Sequence, residues 1–324
     1  MHKNNLDLKV FQGNNGKNYG LAVGLDKKRI KSFFQGKGFN IIYIHQIFRH
    51  THGKLEKDKH IYFFKMASSK DISERTYNES IWNKKISFLI NRNHINYFSI
   101  PKIISSGYFE DKFYYISDFF NDRKIAIPYS SNKRSLKKWL NKIICANLYL
   151  LDLKDKISLP RDENEYSGKV NFYKIFYNQD CKLLQDLKEF SLEGLLEIER
   201  ILKRSYAPSL NHGDFVPWHM IIDKNRFILV DSEHGSCKLP KYFDIVYFYT
   251  KVYVKAENPT LAKIYLNLLR NNISVSDKNL FDLSIKPLIA NRIIDLFWHT
   301  KNERLHNFKY CLSLKKDLLN NELF

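Results

Sequence analysis

Asn211-His212-Gly213-Asp214-Phe215-Val216-Pro217-Trp218-His219-Met220-Ile221-Ile222, with Phe227-Ile228-Leu229-Val230-Asp231-Ser232-Glu233 just beyond it, is the stretch on which the reading of this chain turns. Gly213 permits a sharp backbone turn before Asp214, because glycine tolerates conformations that other residues avoid. Pro217 stiffens the loop and stops any helix there. Residues 219–223 and 226–230 are short, apolar-rich and β-prone, with Lys224-Asn225 between them, so they read as a hairpin. His219 starts its first strand and Asp231 ends its second, so antiparallel pairing brings both to one end. Transfer of a phosphoryl group from a nucleotide needs that set: a carboxylate to orient the attacking hydroxyl, and ligands for a divalent ion on the phosphates.

The same stretch resembles the catalytic core of the aminoglycoside phosphotransferase and choline kinase family, small-molecule relatives of the protein kinases. That family's pattern is His-Gly-Asp-(Leu/Phe)-x-x-x-Asn, then a strand ending in Ile-Asp-(Trp/Phe)-Glu. The resemblance implies an α+β, bilobal protein kinase-like fold with a strand-rich N-lobe and a mainly helical C-lobe. By position it implies that Asp214 takes the proton of the acceptor hydroxyl and that Asp231 holds magnesium. Glu233 matches the acid that often follows by two, and His212 opens the motif; both are candidates to support the site or touch substrate. His219 departs from the pattern, standing where the family has a metal-binding asparagine. Imidazole can ligate a metal through nitrogen, but magnesium prefers oxygen. His219 therefore reads either as a ligand, with manganese as the softer ion, or as a packed histidine.

A core of this kind calls for an upstream lysine on a strand and a glutamate on the next helix. His60-Ile61-Tyr62-Phe63-Phe64-Lys65-Met66 is a compact apolar strand that carries Lys65. A polar turn follows, with Ser73 read as the helix cap. Glu79 then lies in a segment whose Ile81, Trp82, Ile86 and Leu89 recur at helical spacing. Lys65 and Glu79 resemble the family's phosphate-gripping lysine and its orienting glutamate. Glu74 competes, but an acid in the first turn of a helix is favoured by the dipole anyway. Between the strand at 40–48 and Lys65, residues 49–59 read as the nucleotide-covering loop. With a single glycine, it offers Arg49, His50, His52 and Lys54 to phosphates by charge; the competing reading is a solvated hairpin tip. Gly13, Gly16, Gly20 and Gly24 lie too far upstream for that loop, and residues 8–23 read as an extra hairpin turning at Asn14-Asn15-Gly16.

Phe113 to Ile116 reads as the strand entering a hinge at Ser117 to Asp122, whose backbone would meet the adenine. These readings divide the chain into an N-lobe, 1–118, with an extension to about residue 38, and a C-lobe, 119–324. Leu136 to Leu153 and Leu183 to Leu202 read as helices, and a helical tail runs from Phe243 to Leu319. Asp244 matches the family's structural acid at the start of that tail. Gly213 stands where protein kinases typically have arginine. Only twelve residues separate Asp231 from Asp244, too few for a peptide-docking segment. The expected acceptor is therefore a small molecule.

Composition agrees. A chain of 324 residues can bury two lobes, and an apolar fraction of 44% argues against disorder. No apolar run approaches the roughly 20 residues that span a bilayer. Met1 to Asp7 lacks the apolar centre of a signal peptide. Cys145, Cys181, Cys237 and Cys311 show no metal or redox spacing, so a reducing cytoplasm is the expected home. The net charge of +19 is spread over the chain, with 20 basic and 10 acidic side chains in residues 1–120 and 33 and 24 beyond, which describes compositional drift better than a basic arm. Nucleic acid is accordingly disfavoured, whereas peripheral contact with a membrane surface stays open; oligomeric state is not encoded legibly. The expected function is an ATP- or GTP-dependent phosphotransferase that uses Mg2+ or Mn2+ and acts on a hydroxyl of a small molecule. A sugar or glycan suits a basic chain better than a polycationic aminoglycoside. The competing reading, favoured by His219 and the glycine-poor segment, is a catalytically inactive nucleotide-binding or scaffold protein.

Overall fold

A computed structural model of the chain describes residues 10–12, 18–20, 26–47, 49–121, 123–129, 133–153, 157–164, 172–205, 207–302 and 307–324. β1 (Val10–Gln12) and β2 (Asn18–Gly20) form the antiparallel hairpin expected near the start; its turn at 14–16 lies outside the described residues. α1 (Lys27–Gln35) is capped by Asp26, whose carboxylate accepts from the amides of Lys28 and Arg29. The basic side chains of α1 are exposed, while Ile30 and Phe34 are buried.

β3 (Asn40–Ile47), β4 (His50–Lys57) and β5 (His60–Ala67) precede α2 (Lys70–Arg92); β6 (Phe98–Ser99), β7 (Ile103–Phe109) and β8 (Lys112–Asp118) follow it. Five of these strands make an antiparallel sheet in the order β3-β4-β5-β8-β7. Phe34 of α1 packs on Phe64 and Tyr114 at ring distances of 4.8 and 5.3 Å, and Leu55, Met66 and Ile116 complete this smaller core. Burial of one such ring contributes about 1.5–3 kcal/mol, so α1 is an integral cover of the sheet.

Two local features differ from what the sequence leads one to expect. Residues 49–59 are not a loop: most of them form β4, inside the sheet, with turns only at its two ends. The sequence is polar, but β3 and β5 satisfy its backbone groups on both edges, and that outweighs weak strand propensity. Its one glycine serves packing, since a Cβ on Gly53 would come 2.2 Å from a Phe64 ring carbon. The cap of α2 is Ser69, not Ser73: the Ser69 hydroxyl accepts from the Ile72 amide at 3.3 Å. Ser73 instead accepts from the Phe113 amide and donates to the Asp111 carbonyl, tying α2 to the β7–β8 turn.

The second lobe opens with α3 (Lys133–Asp152), followed by α4 (Pro160–Asn164), α5 (Phe172–Gln185), α6 (Glu193–Glu199) and α7 (Leu202–Ser205). The helix read over 183–202 is broken. A 3-10 turn at Lys188–Phe190 ends at Ser191 with φ 49°, a left-handed residue that no helix continues through. Leu184, Leu187, Leu192, Leu195 and Leu202 are buried all the same, which is why their spacing imitated one helix. β9 (Pro208–Asn211), β10 (Met220–Asp223), β11 (Arg226–Leu229) and β12 (Ser236–Pro240) come next. β10 and β11 form the expected hairpin, β11 also pairs in parallel with β6, and β12 pairs with β9.

α8 (Phe243–Val254), α9 (Pro259–Asn272), α10 (Val275–Asn302) and α11 (Phe308–Leu319) make the helical tail. α8 is buried on nearly every side, as a helix apolar all round must be. Its Phe248 meets Tyr265 at 4.4 Å and Phe215 at 6.0 Å. Trp82, Ile86 and Leu89 of α2 belong to this larger core, so the helix bearing Glu79 is packed into both lobes. The architecture is a bilobal protein kinase-like fold. Among the described residues, no helix is long and apolar enough to cross a membrane.

Candidate functional site

The loop after β9 is shaped by Gly213 and Asp244. Gly213 has φ +79°, and a Cβ there would meet the His234 carbonyl oxygen at 2.2 Å. Asp244, in the first turn of α8, accepts from the amides of His212 at 2.5 Å and Gly213 at 2.9 Å. Burial pushes its carboxyl up to about 7, against the pull of those two amides.

His212 is fully buried, edge-on to Trp82 at 5.2 Å. Its Nε2 faces the Val230 carbonyl at 3.1 Å and its Nδ1 accepts from the Asp214 amide at 3.3 Å, so one nitrogen carries the proton and the ring is neutral. Burial pushes this imidazole down to about 3. A histidine depressed in the folded state gives stability that is present above the unfolded value and lost as pH falls from about 6.5 towards about 3, worth roughly 5 kcal/mol in all. The unfolding midpoint is therefore expected to drop steeply between pH 6.5 and 4, and less steeply in His212→Gln. Identical pH profiles for the two proteins would rule this out.

On the opposite wall Lys65, 4% exposed, places Nζ 2.7 Å from Glu79 Oε2 and 2.7 Å from Asp231 Oδ1. Glu79 is the buried choice; Glu74 is exposed. Burial opposes the lysine's charge, but Asp231 and Glu79 outweigh it and hold the ammonium well above its ordinary range. Burial pushes Glu79 up to about 7, against Lys65. Glu233 is also buried and gathers Arg49, His50 (3.3 Å) and His234 (3.2 Å). Burial resists its charge, but His50 and Arg49 hold the carboxyl well below the usual carboxylate range. Of the side chains read as phosphate contacts, Arg49 and His50 thus engage Glu233, and Lys54 lies 4.1 Å over the Phe119 ring. Burial, then Lys65, pushes His52 down to about 4, leaving it no positive charge to offer at neutral pH. α2 is fastened to the segment after Asp231 by Asn78 Nδ2 on the Gly235 carbonyl (2.9 Å) and by the Ser232 hydroxyl on Asn83 Oδ1 (2.9 Å).

Asp231 has φ 67°, a conformation that costs a non-glycine residue about 1–3 kcal/mol and persists where the surroundings impose it. The β10–β11 hairpin sets it against His219, with Nε2 3.4 Å from Asp231 Oδ2. Nδ1 of His219 lies 3.1 Å from the Asp214 carbonyl, which can only accept. In the neutral tautomer that this contact favours, Nδ1 carries the proton and Nε2 would present its lone pair towards the Asp231 carboxylate. A cation belongs between two such groups, and a backbone carbonyl orienting the far nitrogen is the usual support of a metal-binding histidine. One ligand atom each from Asp214, His219 and Asp231 lies within 4.8 Å of the others, so the residues present fit a divalent ion.

Sequence reasoning overlooked three side chains here. Tyr247 faces Asp214; burial, then the Asp214 carboxylate, push its phenol well above the ordinary range. Arg292 and Lys251 approach the Tyr247 ring, with centroid distances of 4.7 and 4.9 Å. Positions 244, 247 and 251 share one helix face by their spacing, and that signal could have found Tyr247 and Lys251 once Asp244 was placed. For Arg292, on α10, the sequence holds no comparable cue.

No family model matches the chain, and no curated protein matches it in sequence. Among solved structures it is similar to a thermostable mutant of aminoglycoside phosphotransferase APH(4)-Ia in a ternary complex with ADP and hygromycin B, with TM-score 0.57 and 10% identity over 91% of this chain and 97% of that one. The GDP complex of an aminoglycoside 2'-phosphotransferase-IIIa mutant gives TM-score 0.55 and 13% identity over 91% and 97%. Choline kinase LicA from Streptococcus pneumoniae gives TM-score 0.51 and 13% identity over 92% and 98%. At such identities the likeness is one of fold, and it extends over nearly the whole chain: the protein has the protein kinase-like fold that the aminoglycoside phosphotransferases and choline kinase share.

Proposed function

We propose that the protein is a nucleotide-dependent phosphotransferase that moves the γ-phosphate of ATP or GTP to a hydroxyl of a small molecule, a sugar or glycan among the candidates. The convergence of buried Lys65, held by Glu79, with Asp231, His219 and Asp214 supports this reading most directly. Lys65 binds the nucleotide phosphates, and Glu79 fixes its position. Asp214 orients the acceptor hydroxyl and takes its proton as that oxygen attacks the γ-phosphorus and the bond to the bridging oxygen breaks. Asp231 and His219 would hold a divalent ion, which supplies charge neutralisation on the phosphates when bound. The same reading sets the lobe boundary at residues 118/119 and a cytoplasmic setting.

The test is nucleotide consumption with neutral sugars, amino alcohols and aminoglycosides as acceptors, with magnesium and manganese compared. Consumption dependent on one acceptor class supports the proposal. Nucleotide binding without consumption across the panel favours the rival, an inactive scaffold, which His219 and the glycine-poor segment 49–59 would suit. His219→Asn, which restores an oxygen ligand, is expected to raise activity with magnesium relative to manganese. His219→Ala is expected to weaken binding of both ions. A His219→Ala variant that matches the parent with both metals makes the imidazole a packing residue.

A further inference from the structure

Beside Asp214 lie two cations that the chemistry above does not use. Lys251 of α8 and Arg292 of α10 are 5% and 7% exposed, and both approach the ring of Tyr247, which faces Asp214. Among the described residues, Arg292 has one carboxylate partner, Asp295 at 2.6 Å, and its buried Nε has no hydrogen-bond partner. Lys251 makes no ion pair with a described residue; the Tyr247 ring is its contact. Burying an ammonium without a paired carboxylate is costly. Burial pushes Lys251 down to about 7, and Arg292 presses the same way. The carboxylates that answer it are Asp295 and Asp214, and Lys255 adds another positive charge.

A buried cation short of counter-charge, next to a guanidinium with a spare donor, is half of an ion pair. We propose that Lys251 and Arg292 form an anion subsite, and that the acceptor is a small hydroxyl compound bearing a phosphate or carboxylate group. This inference rests on the phosphotransferase reading and narrows its substrate class. The placement follows from α8. Asp244 fixes the loop that carries Asp214; Tyr247, which faces Asp214, lies one turn further on, and Lys251 lies one turn beyond that. An anionic group held by Lys251 and the Arg292 Nε would leave a neighbouring hydroxyl of the same molecule at Asp214. The bonds it makes are charge-assisted, which strengthens them. A polycationic aminoglycoside meets like charge at this place.

Two measurements test the subsite. The first is calorimetric titration of inorganic phosphate into the protein saturated with AMP-PNP and magnesium, so that the nucleotide's own phosphate positions are filled. Phosphate is expected to bind the parent, and Lys251→Met and Arg292→Lys to bind it at least about tenfold more weakly, the loss of about one charge-assisted bond. Absence of phosphate binding to the parent, or unchanged affinity in both folded variants, overturns the proposal. Lys251→Met should melt no lower than the parent, because it removes an uncompensated buried charge; a much lower melting point assigns Lys251 a structural role instead. The second measurement compares turnover of a hexose 6-phosphate, a hexuronate, the matching neutral hexose and an aminoglycoside. An anionic acceptor is expected to lead in kcat/KM, by a margin that Lys251→Met erases, and the better of the two identifies the group as phosphate or carboxylate. A lead for the neutral hexose or the aminoglycoside overturns the proposal. Phosphate binding that depends on Lys251, with no nucleotide consumed for any acceptor, keeps the anion site and removes the phosphotransferase reading.

Discussion

Asp214→Asn is expected to reduce turnover by about 10²–10⁴-fold, the range over which a positioned general base contributes, with nucleotide affinity unchanged. The side chain of Asp214 meets His219 and Tyr247 rather than Lys65, so its loss is expected to fall on the acceptor and to leave the Lys65–Glu79 pair in place. The amide keeps the size of the carboxylate but cannot take a proton at neutral pH. Asp231→Asn is expected to move the other parameter. Asp231 bonds Lys65 and faces His219, so nucleotide binding in the presence of metal should weaken before turnover at saturation does. Steady-state kinetics together with a nucleotide titration separate the two, and normal turnover in both variants would remove the mechanism.

The second large effect falls on stability. Gly213→Ala is expected to cost about 2–5 kcal/mol, as left-handed strain and overpacking add at one position. The new methyl has nowhere to go: it meets the His234 carbonyl at 2.2 Å, and backbone cannot rotate aside as a side chain can. Relief requires the loop to move, and that pulls His212 and Gly213 off Asp244. Gly194→Ala is the matched control. It lies on α6 with open space where the methyl would go, and should be neutral or gain up to about 1 kcal/mol. Urea unfolding of the pair decides the matter; equal stabilities for the two variants would show that the Gly213 turn is not constrained.

The parts of this site that could be read from sequence are those in which chemistry and local geometry coincide. Gly213, Asp214, Pro217 and the hairpin ending at Asp231 lie within a short run, where turn residues and alternation carry the information. Lys65 and Glu79 could be placed only by following that motif back through the chain, since the contact joining Lys65 to Asp231 spans 166 residues. β4 escaped because His50, Thr51 and His52 look like loop residues until the strands on both sides are present. The break at Ser191 escaped because leucine spacing records which side chains are buried, not whether the backbone between them is continuous. Arg49 on Glu233, and Arg292 on Tyr247, are meetings of distant segments that no local pattern announces.

α8 divides its length between two duties. Its first turn holds the His212 and Gly213 amides through Asp244, while Lys251, two turns on, touches the ring of Tyr247. A substitution at 244 would reach the backbone of the loop itself, whereas one at 251 leaves every hydrogen bond of that loop standing. On the proposed reading, what the chain acts on can therefore change at Lys251 without disturbing the loop that carries Asp214. Descendants of a common ancestor that keep this helix are expected to agree at position 244 and to diverge first at 251 and 292.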